Sequence, residues 1–179
     1  LQERLNKPMD ILARNLARIE TKMEEFLLIS KLELGPVRLD LGPVDLNSLV
    51  QDAIASFFPG AISRGVDLDA AFDEVPPMRG DARRIGQLVY ELIETSLERL
   101  DAGDRVVVKT RLEGDGVWIR VSDNGTPMED GGPEALLKGL ESDDPTQQTR
   151  VSLFAAHRIA RAHGGRLLVA SDAAAGTLF

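Results

Sequence analysis

The chain contains no cysteine, so no disulfide, no Cys-ligated zinc and no thiol chemistry is open to it. Its two histidines, His157 and His163, are too few for a His-rich metal site. One Trp and one Tyr leave few platforms on which nucleic-acid bases could stack. No apolar run approaches the ~18 residues of a membrane span, and no signal peptide opens the chain. Both absences fit a cytoplasmic, reducing context without direct membrane contact, although an anchor outside these residues is compatible with them. Positive charge is short as well. Lys and Arg number 21 against 29 Asp and Glu, and the formal net charge of −8 disfavours nucleic acid or an anionic membrane surface as a partner. What remains is 179 residues, 43% of them hydrophobic, enough for one medium domain or for a compact domain with an appended helix.

Residues 1–34 form the first unit. Leu5, Met9, Leu12, Leu16, Ile19, Met23 and Phe26 fall at alternating spacings of four and three, an unbroken a/d seam with Arg14, Arg18, Glu20, Lys22 and Glu24 between them. Such a stripe fits a stalk that dimerises on a partner helix, or else a long helix folded onto its own domain. Gly35-Pro36 is the stop signal. Beyond a linker at 35–43, Gly42–Asn47 reads as a brief strand and a helix start, and the helix is expected to stop before Pro59-Gly60. Val66–Phe72 alternates as a strand. Asp81 suits an N-cap, with Ile85, Leu88, Val89, Leu92, Ile93 and Leu97 as one buried helix face. Arg105–Leu112 and Val117–Ser122 predict a hairpin across Glu113–Gly116. Val151–Ala162 predicts a helix closed by Gly164-Gly165, and Arg166–Ser171 and Gly176–Phe179 predict final strands. Helices on one face of a mixed, largely antiparallel sheet make an α/β sandwich.

The stretch Val117–Met128, VWIRVSDNGTPM, organises the rest. Val117, Ile119 and Val121 point inward along a strand that runs into an Asp123-Asn124-Gly125 corner. An acid and a glycine at the end of a buried strand make a plausible nucleotide pocket. They also make a plain turn, in which Asp and Asn bond their own backbone and Gly supplies a positive φ.

In this order, these segments resemble the core of a two-component sensor histidine kinase. ISKLELG…LDLGPVDLNSLV resembles the junction between the second dimerisation helix and the ATP-binding domain. GDARRIGQLVYEL resembles the N-box helix, VSDNGTP the first glycine box, and RIARAHGGRLLVASDAAAGTLF the end of the second glycine box with the closing strands. The resemblance implies an N-terminal dimerisation helix followed by a two-layer α/β sandwich of the Bergerat type, with residues 44–179 as the ATP-binding domain. It assigns nucleotide-binding places to Asp123, Gly125, Glu91, Thr95 and Arg150.

Inside that frame the chemistry is depleted. The family's magnesium-binding Asn is Thr95 here, a poorer ligand for a hard cation, and a phosphate-directed Lys is Glu98. Pro127 replaces the second glycine of the first box, fixing φ and removing an N–H. The second box reads Gln148-Thr149-Arg150-Val151-Ser152-Leu153 where the family has glycines that admit phosphates to backbone amides. Met128–Gln148 holds six acids against one base, an unfavourable cover for a triphosphate. Glu91 stands where gyrase-like ATPases carry a water-activating carboxylate, or is simply solvated beside Glu94 and Glu98. No residue matches the phosphoacceptor: one alignment places Glu3 there, and the other makes residues 9–34 the second dimerisation helix. His157 and His163 read as structural or exposed.

The expectation is therefore a degenerate histidine kinase of a two-component pathway that signals by protein binding. It has no catalytic residues of its own and no bound metal. ATP and magnesium bind weakly at most. The partners implied are a second copy through residues 1–34 and a response regulator or partner kinase, with no nucleic acid. The alternatives are an active kinase whose acceptor His lies upstream, and a nucleotide sensor without turnover.

Overall fold

The computed structural model describes residues 37–114, 116–128, 133, 151–172 and 175–179. The seam of residues 1–34, the acidic stretch apart from Met128 and Pro133, and Arg150 lie outside the described residues.

Three helices and seven strands make up the described part. In chain order they are β1 (Gly42–Val44), α1 (Leu46–Arg64), β2 (Asp67–Phe72), β3 (Met78–Gly80), α2 (Ala82–Leu97), β4 (Arg105–Glu113), β5 (Gly116–Asp123), α3 (Val151–Ala162), β6 (Ala170–Asp172) and β7 (Gly176–Leu178). The main sheet runs β2-β4-β5-β7-β6; β2 and β4 are parallel and the other pairs antiparallel. A separate two-stranded ribbon, β1 with β3, was not expected from the sequence. Val106, Val108, Thr110, Val121 and Asp123 point from β4 and β5 into the core. Val50 of α1, Val89, Leu92 and Ile93 of α2, and Leu153 and Ala156 of α3 meet them there. Each such aliphatic side chain contributes about 1.5–3 kcal/mol by leaving water. A helical layer thus covers one face of a mixed sheet, the two-layer arrangement that the periodicities predict.

Two boundaries differ from expectation. The first helix does not stop before Pro59 but continues through it to Arg64. The ring removes one backbone donor, yet the turn beyond it is held by burial of Ala61 and by Gly65, whose left-handed backbone caps Ala61 and Ile62 carbonyls. The strand expected over Arg166–Ser171 is only Ala170–Asp172, because β7, its partner, is three residues long and pairs with no more than that.

The helix α2 that carries the candidate site is anchored at its start. The Asp81 carboxylate accepts from Arg84 N at 3.0 Å, the expected N-cap, and from Asp40 N at 2.9 Å. The Asp81 N–H in turn donates to His163 Nε2 at 3.0 Å, while His163 Nδ1 lies 2.9 Å from the Ile159 carbonyl. One neutral tautomer, protonated at Nδ1, satisfies both bonds. His163 therefore pins the end of α3 to the start of α2.

The backbone bond from Asp40, together with the cap bond and Arg83 and Arg84 nearby, holds the Asp81 carboxyl below the ordinary value of 3.8 despite its burial. A depressed acid stabilises the fold above its unfolded pKa, and that contribution fades as pH falls through the folded value. Asp81→Ala is expected to cost about 1–2 kcal/mol in urea unfolding at neutral pH. The gap from the parent should close as pH drops below 3.8; a gap that does not depend on pH refutes the assignment.

Candidate functional site

Asp123 ends β5 on the inward face, in step with Val121, so its carboxylate enters the space under α2. There it is fully engaged. Oδ2 accepts from Arg99 Nη2 at 2.7 Å, and Oδ1 accepts from Gly125 N at 3.2 Å and Thr177 N at 3.3 Å. The carboxylate side chain is 0% exposed and the Arg99 side chain 9%. Arg99 spends its other donors on the same corner: Nη1 to Thr177 Oγ1 at 2.7 Å and to the Thr126 carbonyl at 3.0 Å, and Nε to the Thr95 carbonyl at 3.3 Å. Its guanidinium carbon lies 5.9 Å from the centre of the Phe179 ring. A buried charge pair survives desolvation only when its remaining polar atoms are satisfied, and here they are.

Two glycines make this corner possible. Gly125 is not a positive-φ turn residue, contrary to the turn reading. It is needed because a Cβ there would stand 2.4 Å from Leu100 Cδ2 and 3.0 Å from the Arg99 carbonyl oxygen. Gly176 has φ +78°, and a Cβ there would meet the Asp123 carbonyl at 1.9 Å. It brings β7 against β5 so that Thr177 reaches Asp123. Asn124 does not close a turn on itself either. Its Oδ1 accepts from Arg105 N at 2.6 Å, extending the β4–β5 ladder.

One turn further back on α2 lie Glu91 and Thr95. Glu91 is buried, which overturns the solvated reading. Loss of hydration, reinforced by Glu94 and less by Glu98, raises its carboxyl to about 7, against a stabilising bond from Gln87. Thr95 is also buried, and its Oγ1 sits 3.4 Å from Ser152 Oγ on α3. The Thr95 hydroxyl thus faces another hydroxyl across the helix interface, one helical turn from the buried Glu91. Glu98, where the resemblance has a phosphate-directed Lys, is an exposed residue at the end of α2. Neither histidine is presented to solvent as a nucleophile: His157 is buried in α3, and both ring nitrogens of His163 are engaged.

The structure therefore brings Asp123 and Gly125 together, and Glu91 with Thr95, while Arg150 lies outside the described residues. The two residues that sequence reading missed are Arg99 and Thr177. The signal for Arg99 was a cation directly after Glu98 at the end of an apolar helix; the signal for Thr177 was the closing GTLF run.

Truncating either partner of the Arg99–Asp123 pair strands a buried charge, at a cost of about 3–5 kcal/mol. Arg99→Met and Asp123→Asn are each expected to lower stability by that order, and the double variant by clearly less than the sum. Additive losses in urea unfolding would show the two to be independent. Glu91 acts with the opposite sign. Its raised folded pKa means that folding loses stability as pH rises from 4.5 to about 7, by roughly 3 kcal/mol at most. Glu91→Gln is expected to match the parent in acid and to exceed it in stability at pH above 7; no gain there would exclude an elevated pKa.

With the geometry in hand, the chain can be set beside known proteins. The family described as histidine kinase-, DNA gyrase B- and HSP90-like ATPase matches residues 80–179. The alginate biosynthesis sensor protein KinB of Pseudomonas aeruginosa is 27% identical over 194 residues, covering 100% of this chain and 32% of KinB. The chain thus spans about a third of that relative. Among solved structures, the histidine kinase AdeS of Acinetobacter baumannii aligns with a TM-score of 0.69 at 18% identity, over 96% of this chain and 80% of AdeS. The histidine kinase ThkA, solved in complex with the response regulator protein TrrA, aligns with a TM-score of 0.71 at 21% identity, over 98% of this chain and 49% of that one. Alongside the family match, these alignments carry the fold. The chain belongs to the histidine kinase-, DNA gyrase B- and HSP90-like ATPase family, and its described domain corresponds in sequence and fold to the ATP-binding core of sensor histidine kinases.

Proposed function

We propose that this chain is the core of a degenerate histidine kinase that works in two-component signalling by binding proteins rather than by transferring phosphate. The observation that carries the reading is the Arg99–Asp123 pair. An acid that recognises a purine must offer a lone pair to the incoming amino group. The Asp123 carboxylate is enclosed, and both of its oxygens already accept hydrogen bonds, three in all and one of them from a guanidinium. A guanidinium N–H already donates to Oδ2, the kind of bond an adenine amino group would make there. This engaged carboxylate fits an adenine nucleotide poorly, which supports a role that does not turn over ATP.

Three further features support the same reading. Thr95 turns its hydroxyl to Ser152. Glu91 and Glu94 make α2 acidic on the turn before Thr95, an unfavourable setting for a triphosphate. Neither His157 nor His163 is placed to accept a phosphoryl group. Residues 1–34, with their a/d seam, are proposed to pair two copies. A response regulator is proposed as partner because ThkA is seen with one. No helix among the described residues is long and apolar enough to cross a membrane.

Calorimetry decides the nucleotide question. Titrating the chain with ATP and magnesium is expected to give no saturable heat up to millimolar nucleotide, and labelled ATP is expected to leave the chain unlabelled. Saturable binding at micromolar nucleotide would overturn the reading and restore the sensor or kinase alternatives.

A further inference from the structure

On β4 and β5 the side chains that point away from the helices include Lys109, Arg111, Trp118 and Arg120, all exposed. The register sets Lys109 directly opposite Arg120, and Arg111 directly opposite Trp118. Like charges facing across a strand pair destabilise it, and neither Lys109 nor Arg120 has an ion-pair partner among the described residues. Arg111 has only a 4.0 Å approach to Asp73, with both side chains mostly exposed.

The usual reasons for such charges do not apply. Lysines on a sheet edge discourage pairing with other chains, but the order β2-β4-β5-β7-β6 puts both strands in the interior of the sheet. Solubility does not call for cations on a chain of formal net charge −8. What the patch does match is the composition of binding hot spots, an aromatic side chain flanked by arginines. Trp118 is also the only Trp of the chain, and it is 38% exposed on an open sheet face.

We propose that this face, centred on Lys109, Arg111, Trp118 and Arg120, docks a carboxylate-rich surface of a partner protein. The footprint favours discrete carboxylates over a continuous polyanion. Asp69, already paired with Arg105, borders the patch on one side, and Asp73 and Glu113 border it toward the hairpin end. A nucleic-acid backbone or an anionic membrane would extend over these acids and meet the negative charge of the whole chain; a small acidic cluster fits between them. The proposal does not depend on the state of the nucleotide corner, which lies on the opposite side of the sheet.

Because Trp118 is the sole Trp, its fluorescence reads the patch directly. The test titrates the chain with a short poly-L-glutamate peptide at low ionic strength, following Trp118 emission. A saturable change is expected, weakening as salt is added. Lys109→Glu with Arg120→Glu should weaken it by about tenfold or more. Arg79→Glu with Arg166→Glu makes the same charge change on exposed residues elsewhere and should leave the affinity within about twofold. No change in Trp118 emission up to millimolar peptide overturns the proposal. So does equal loss in both double variants, which would show only net charge at work. Tighter binding to single-stranded oligothymidine or to phosphatidylserine vesicles than to the peptide would overturn the choice of partner. Circular dichroism of each variant, unchanged from the parent, ties the losses to the patch.

Discussion

A single ion pair, buried where water cannot reach it, sets the terms for the centre of this domain. Arg99 leaves the end of α2 and turns under the sheet to meet Asp123, and the contact joins three parts of the chain far apart in sequence: the helix end, the β4–β5 hairpin and the closing strand β7. Each of the neighbouring peculiarities follows from it. Gly125 has no side chain because Leu100 and the Arg99 backbone lie against it, and Gly176 has none because β7 must come close enough for Thr177 to share both charges. The desolvation cost of such a pair is recovered only through full hydrogen bonding, and the corner supplies it.

That arrangement separates fold from chemistry. The layers, the strand order and the helix that carries the site are those of the histidine kinase-like ATPases, and they rest on aliphatic packing together with the Asp81–His163 clasp at the other end of α2. None of these needs a nucleotide. A scaffold whose stability comes from packing and caps can exchange its ligand-binding groups for internal partners and remain folded, as sites on a shared fold commonly do.

Much of this was legible in the sequence because the signals were local. Period-two alternation located β4 and β5, the spacing from Ile85 to Leu97 located α2, and Asp81 announced its start. The errors came where tertiary context decides. Pro59 reads as a terminator, yet Ala61 is buried beyond it and the helix is carried through. Glu91 reads as solvated among other acids, but α2 turns it inward. At the site, sequence identified Asp123 and Gly125 by motif and could not show that Asp123 is consumed: Arg99 lies 24 residues away, and a pairing at that distance leaves no periodic trace. The meaning of Gly125 was likewise a matter of a close neighbour, not of φ.

The parallel pairing of β2 with β4 has a consequence for how the chain reaches this structure. Two strands side by side in the same direction cannot be joined by a tight turn, and β3 and all of α2 lie in the connection between them. The β4–β5 hairpin, by contrast, closes over a two-residue loop, and such local pairings form in microseconds. Pairing of β2 with β4, and of β5 with β7, joins segments much further apart in sequence and so costs more chain entropy to close. The corner that holds Arg99 takes Asp123 from the local hairpin and Thr177 from the distant strand β7, so it is complete only when a long-range pairing is.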